Sequence, residues 1–308
     1  MAAALTPFSL TPRPARAGES SEVGLPATNY ELVIEPSKGW FDIRWRELLH
    51  YRDLTLLLVR RDFVSKYKQT VLGPAWFVIQ PLLTTLVFTI IFGNVARLGT
   101  DGMPHVPFYL AGLLLWSYFA QSLPAIGSCL IVNSNLFTKV YFPRLVVPLS
   151  ILLSNLIALA LQFVTFLAFW AYYRYATEAG AVMQANWTVL LFPLLIIQTA
   201  MLAGGVGLWL AVITSQYRDL QHLMSFIVQI WMYASFIIVP LSDVPERFRL
   251  WAALNPMVAV VEGTRYAFLG KAALTPLHIG VSAAITLVVF ATGVAAFGRI
   301  ERKFVDYI

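Results

Sequence analysis

Six apolar runs, at roughly 75–96, 106–130, 146–172, 187–213, 222–241 and 277–297, occupy most of the chain beyond residue 74, and none of the 16 Asp and Glu falls inside any of them. Each run is long enough to cross about 30 Å of hydrocarbon, and a helix is the form in which such a segment satisfies its own backbone there. The balance of residues agrees. Of 308 residues, 58% are hydrophobic and 12% charged, about half the charge that a water-facing surface normally carries. A soluble enzyme and an intrinsically disordered chain are therefore both excluded.

The basic residues supply orientation. Sixteen of the 22 Lys and Arg fall before the first run, between the second and third, between the fourth and fifth, or after the last. The other six are Arg97, Arg174, Arg247, Arg249, Arg265 and Lys271. An even number of crossings with this bias predicts both termini in the cytoplasm. The formal charge of +6 thus records topology, not nucleic-acid binding. The single Cys129 has no partner for a disulfide within the chain, and no Cys/His spacing points to a metal.

Residues 1–40 hold Pro7, Pro12, Pro14, Pro26 and Pro36 among Ser, Gly and Glu, and read as a flexible Pro-rich cytoplasmic tail with no cleaved signal. In residues 41–73, Trp45, Leu49, Leu56, Val59 and Phe63 recur at helical spacing, with Arg44, Arg46, Arg52, Arg60, Arg61, Lys66 and Lys68 on other faces. That pattern predicts an amphipathic helix in the headgroup plane, or a soluble helix packed on a partner, in either case on the cytoplasmic side. Residues 74–308 form the transmembrane domain. The expected fold is an all-α membrane protein: six transmembrane helices, an N-terminal interface helix, and a segment 242–275 between the fifth and sixth.

What the runs lack narrows the function. A carrier that exchanges protons or sodium needs ionisable groups at membrane depth, and His50, His105, His222 and His278 sit only near run ends. Gly204, Gly205 and Gly207 lie in an apolar helix with no Lys-Ser/Thr after them, so they are contact residues for helix packing and not a phosphate cradle. Energy for transport must then come from a separate subunit. Two loops stand out. Asn133 to Arg144 mixes aromatic and basic residues, suited to a partner's groove or to a plain interfacial turn. Segment 242–275 is long, apolar and interrupted at Asn255-Pro256, which fits two re-entrant half-helices or a small external cap. In it Glu262 and Arg265 share a helical face, as an ion pair or as two pore-facing polar groups.

From Arg61 to Trp76 the chain reads RDFVSKYKQTVLGPAW and runs on to Gln80-Pro81; YFPRLVVP ends the second loop at 148; LNPM at 254–257 precedes Glu262 and Arg265. Together these resemble the membrane subunit of ABC-2 type polysaccharide exporters, over about residues 45–305. The resemblance implies a homodimer with two copies of an ABC ATPase below it, no cofactor in this chain, and ATP and Mg bound by the partner. Asn135, Leu136, Lys139, Tyr141, Phe142, Pro143 and Arg144 would couple to the ATPase. Arg60, Arg61, Asp62, Lys66, Tyr67 and Lys68 would form the cytoplasmic gate and the platform for a lipid pyrophosphate. Asn255, Pro256, Glu262 and Arg265 would shape the periplasmic exit.

A glycan slides most easily over aromatic faces, and the pore candidates are Phe77, Phe88, Tyr109, Trp116, Tyr118, Trp231, Tyr233 and Phe236. The expected cargo is undecaprenyl-pyrophosphate-linked polysaccharide such as O-antigen, moved across a bacterial inner membrane, with membrane lipids among the partners and no nucleic acid. Capsule or teichoic acid, and drugs or small lipids, are the alternative cargoes. A membrane-embedded transferase on polyprenyl-linked sugars would need clustered carboxylates or histidines, and the acids are dispersed.

Overall fold

The computed structural model describes residues 8–14, 30–36, 49–68, 70–137, 139–140 and 142–303. Trp45 and the rest of 41–48, and Tyr141, lie outside the described residues, as does the side chain of Tyr67. β1 (Phe8–Pro14) and β2 (Tyr30–Pro36) form an antiparallel ribbon with Phe8 opposite Pro36 and Leu10 opposite Ile34. Within residues 1–40, read above as a flexible tail, these two stretches instead pair, and Tyr30, Leu32 and Ile34 alternate with Glu31, Val33 and Glu35 in the period of a strand. All other regular elements among the described residues are helical.

They run in chain order as α1 (Arg52–Tyr67), α2 (Trp76–Phe88), α3 (His105–Gly127), α4 (Cys129–Val132), α5 (Ser134–Phe137), α6 (Val146–Ala176), α7 (Phe192–Gln216), α8 (Leu220–Ala234), α9 (Glu246–Ala253), α10 (Pro256–Leu269) and α11 (Pro276–Lys303). Among the described residues five helices are long and apolar enough to cross a membrane: Gly73–Val95 around α2, then α3, α6, Trp187–Gln216 around α7, and Pro276–Arg299 within α11. The chain is a multi-pass membrane protein.

The run expected at 222–241 is helical only as far as Ala234. Fifteen residues at 1.5 Å each span about 22 Å, short of the ~30 Å of a hydrocarbon core. Apolarity does not end the helix here, since Phe236, Ile237, Ile238 and Val239 follow. Phe236 takes a left-handed backbone, φ 53°, a conformation that a bulky residue holds only when its surroundings compensate.

α3 is the hub, packed against α2, α6, α7, α8 and α10. α7 and α11 pack backbone to backbone. A Cβ on Gly205 would sit 2.7 Å from Phe290 Cα, and one on Gly293 would strike the carbonyl of Gly205; only hydrogen at both positions lets the backbones touch. α10 is sunk into the bundle, with Met257 to Val261 all buried, and is tied to α6 by Trp170 Nε1 donating to the Phe268 carbonyl at 2.7 Å. α9 lies outside it, with Phe248 and Trp251 exposed.

The turn between α1 and α2 explains the Leu-Gly-Pro sequence. Gly73 sits at φ 51°, which glycine adopts without steric cost, and Pro74 opens the helical turn that leads into α2, where its missing N–H is not needed. Phe63 and Phe77 stack across this corner with ring centroids 6.2 Å apart.

Candidate functional site

At the end of the bundle that carries α1, the inward face of that helix differs from the one its spacing predicts. Leu58 is 1% exposed and packs with Ile126, Cys129, Val146, Val147 and Phe297, flanked by Leu54, whereas Leu49 and Leu56 lie open. α1 carries leucines on more than one face, and only contact with α6 decides which of them turns in. The outer leucines are left for lipid or a partner.

Among the described residues, two side-chain joints tie α1 to its neighbours. Arg61 pairs with Asp62 at 2.7 Å and also donates to Asn133 Oδ1 at 3.0 Å, while Asn133 Nδ2 donates to the Cys129 carbonyl at 3.1 Å. One turn on, Lys66 Nζ donates to Asn155 Oδ1 on α6 at 2.8 Å, and Asn155 Nδ2 donates to Ser122 Oγ on α3 at 3.0 Å. Burial of the ammonium pulls the Lys66 pKa below the usual lysine value, with the charge of Asp62 pulling it part of the way back. Arg60 and Lys68 are exposed. Asn133, Asn155 and Ser122 are functional candidates that a search of the runs for acids and histidines passes over; the signal for Asn155 is a side-chain amide in an apolar run.

In the segment 133–144, Phe142 is buried and Leu136 and Phe137 pack beside it, so the aromatic part is an anchor into the bundle. Asn135 and Lys139 are exposed, and the Arg144 guanidinium lies over the Phe137 ring at 5.7 Å from its centroid. Pro143 is half-buried. The anchored and the open residues alternate, a layout suited to transmitting a push from outside into the helices.

At the opposite end, Asn255 and Arg265 end α8. Asn255 caps α10, its Oδ1 accepting from Met257 N at 3.1 Å and from Trp231 Nε1 at 2.9 Å. Its Nδ2 donates to the Ala234 carbonyl at 2.9 Å and to Ser235 Oγ at 3.1 Å. One side chain thus caps the start of one helix and the end of another. Pro256 follows at the first helical position. Arg265 takes the carbonyls of Phe236 at 3.0 Å and Ile237, pairs with Glu262 at 2.7 Å, and lies 3.7 Å from the centroid of the Phe108 ring. Gly112 leaves the room for it: a Cβ there would stand 2.9 Å from Nη2. Glu262 and Arg265 are each 1% exposed. Of the two arrangements open from sequence, the ion pair is the one formed.

The aromatic candidates divide. Phe77, Phe88, Tyr109, Trp116 and Tyr118 are buried in the chain's own packing, and Trp231 and Phe236 are half-buried. Tyr233 is exposed, on a stripe of α8 with Leu223, Phe226, Ile227 and Ile230 that is open among the described residues. Phe226 belongs to that stripe and was not among the expected residues.

A family model described as ABC-2 type transporter matches residues 53–269. The O-antigen export system permease protein RfbA of Myxococcus xanthus is 33% identical over 70% of this chain and 80% of its own length. A protein of the same description from Klebsiella pneumoniae is 24% identical over 83% of this chain and 95% of its own. The polysialic acid transport protein KpsM of Escherichia coli is 24% identical over 80% and 92%.

Proposed function

The chain belongs to the ABC-2 type transporter family, and from that premise we propose that it is the permease subunit of an ATP-driven exporter carrying lipid-linked polysaccharide, O-antigen first, across a bacterial inner membrane. The observation that carries the cargo is the likeness to an O-antigen export permease at 33% identity over 80% of that protein's length. The chain is a transport component and not a catalytic enzyme; its relatives are named for export and transport. A capsule-type cargo is the second reading, favoured by the likeness to a polysialic acid transporter.

In this reading α8 and the irregular apolar residues after it, up to Val239, together make the fifth of six crossings, which places both termini on the cytoplasmic face with α1. Two copies of the chain meet along the exposed apolar faces of α8 and of the span Gly73–Val95 around α2, where Leu83, Leu86, Val87, Ile90 and Ile91 are open, and the glycan passes between them over Phe226 and Tyr233. Aromatic faces suit a sliding sugar chain because they stack without fixing a register. An ABC ATPase dimer binds ATP and Mg, closes, and pushes on Asn135 and Lys139. The buried anchor at Phe142 and the Arg61–Asn133 joint carry that push into α1. Arg60, Arg61 and Lys68 face the headgroups and attract the lipid pyrophosphate. Asn255 and the Glu262–Arg265 pair hold α8 to α10 beside the periplasmic exit.

The test is deletion of the partner ATPase. Lipid-linked glycan should accumulate inside the cell, whereas an unchanged amount of surface glycan would overturn the reading.

A further inference from the structure

The Lys66 ammonium has an uncommon setting for a cation at a membrane boundary. Its partner is a neutral amide, Asn155 Oδ1 at 2.8 Å, which is itself held by Ser122 Oγ at 3.0 Å. Asn155 and Ser122 are 1% and 0% exposed, so the bond draws the end of the lysine into the groove between α3 and α6. The acid nearest along the helix, Asp62, has its Oδ1 engaged by Arg61 Nε at 2.9 Å and Nη2 at 2.7 Å. Lys66 as a residue is exposed and only its ammonium end is partly buried; held there against a dipole, the ammonium keeps a charge that its partner does not neutralise. The lowering of its pKa by burial has the same origin. An anion offered to that ammonium would make the stronger, charge-assisted bond.

The geometry points to a latch in which Lys66, Asn155 and Ser122 hold α1 against α3 and α6 at rest, released when the diphosphate of a lipid takes the Lys66 ammonium from Asn155. This rests on the reading of α1 as the platform for a lipid pyrophosphate. The joint between Arg61 and Asn133 does not involve the latch. When Lys66 lets go, α1 stays fastened to the coupling segment and is freed from the spans. Arrival of the headgroup thus changes which neighbour α1 follows. Lys66 and Asn155 are positioning residues in this scheme, and Asn155 is outside the headgroup platform itself.

The experiment follows amide hydrogen exchange over residues 60–68 in the full chain, assembled with its ATPase in nanodiscs of neutral lipid, with peptides of α7 as the folding control. The probe is geranylgeranyl diphosphate, and geranylgeraniol is its uncharged counterpart. The diphosphate, and not the alcohol, should speed exchange about tenfold, the scale of one charge-assisted hydrogen bond. Lys66→Met and Asn155→Leu should show that speed without lipid and no further response. Asn155→Asp should stay slow and resist the diphosphate, because the ammonium then already has an anion; a residue needed only for folding would not produce that reversal. Wild-type exchange rates in Asn155→Leu would overturn the latch. Binding of the diphosphate, measured by its retention on the nanodiscs, without faster exchange would overturn its release. No binding at all would refute the platform reading beneath the proposal, and would be told apart by the missing retention.

Discussion

Replacing Arg265 by methionine is the sharpest test of the clasp that ends α8. The side chain is 1% exposed, pairs with an equally buried Glu262 at 2.7 Å, serves the carbonyls of Phe236 and Ile237, and covers the Phe108 ring. Methionine keeps much of the stem's packing and removes all of the polar bonds. Removing one member of a buried pair costs about 3–5 kcal/mol, because the other charge is left uncompensated. Each stranded carbonyl adds about 1–3 kcal/mol if water cannot reach it. These losses fall on one side chain and do not add in full, and we expect about 4 kcal/mol. The double variant Glu262→Gln/Arg265→Met leaves no lone charge, so its cost should fall below the sum of the two single losses. The assay is SDS-titrated unfolding of the purified chain in detergent micelles, followed by tryptophan fluorescence, to which Trp231 contributes from beside the clasp through its bond to Asn255. Arg265→Met within about 1 kcal/mol of wild type, the scale of an exposed pair, or full additivity in the double variant, would refute the reasoning.

Other expected outcomes follow from single contacts. Asn255→Ala removes the bonds to Met257, Trp231, Ala234 and Ser235 and should cost about 2 kcal/mol in the same titration, with Asn255→Asp recovering the two accepted bonds. Gly205→Val drives a side chain into the Phe290 backbone and should lower stability by about 1–3 kcal/mol, visible as a lower melting temperature in detergent. Arg144→Glu should leave the folded permease and its assembly with the ATPase intact on size-exclusion chromatography while abolishing the link between ATP hydrolysis and export; loss of the assembled protein instead would make Arg144 a structural residue. Tyr233→Ala, at an exposed position on α8, should keep wild-type melting and reduce surface glycan, and unchanged surface glycan would remove α8 from the pore.

How much of this was legible in the chain follows from what each signal measures. The apolar runs were readable because the free energy of moving a residue into hydrocarbon sums over about 20 neighbours along the chain, and five of the expected six reappear as helices of spanning length. The Leu-Gly-Pro corner and the Asn-Pro break were readable for a similar reason: glycine and proline act on their own backbone, whatever surrounds them. The two joints of α1 were not, because Asn133 and Asn155 lie 72 and 89 positions from their basic partners and an amide among leucines has no periodicity of its own.

The amino-acid sequence by itself determined the solvent, the spans and the places where the chain must turn, since these depend on local composition and backbone chemistry. Only the tertiary structure decided where α8 stops, which leucines of α1 face inward, and that Glu262 and Arg265 meet as a buried pair. Those outcomes hang on single donors reaching single acceptors. The Arg265 guanidinium meets the carbonyls of Phe236 and Ile237 from 29 and 28 residues away, a distance that no local pattern spans. The same packing claimed Phe77, Phe88, Tyr109, Trp116 and Tyr118 for the interior. An aromatic residue carries the same hydrophobic signal whether it fills a core or lines a surface, and only its neighbours in space tell the two apart.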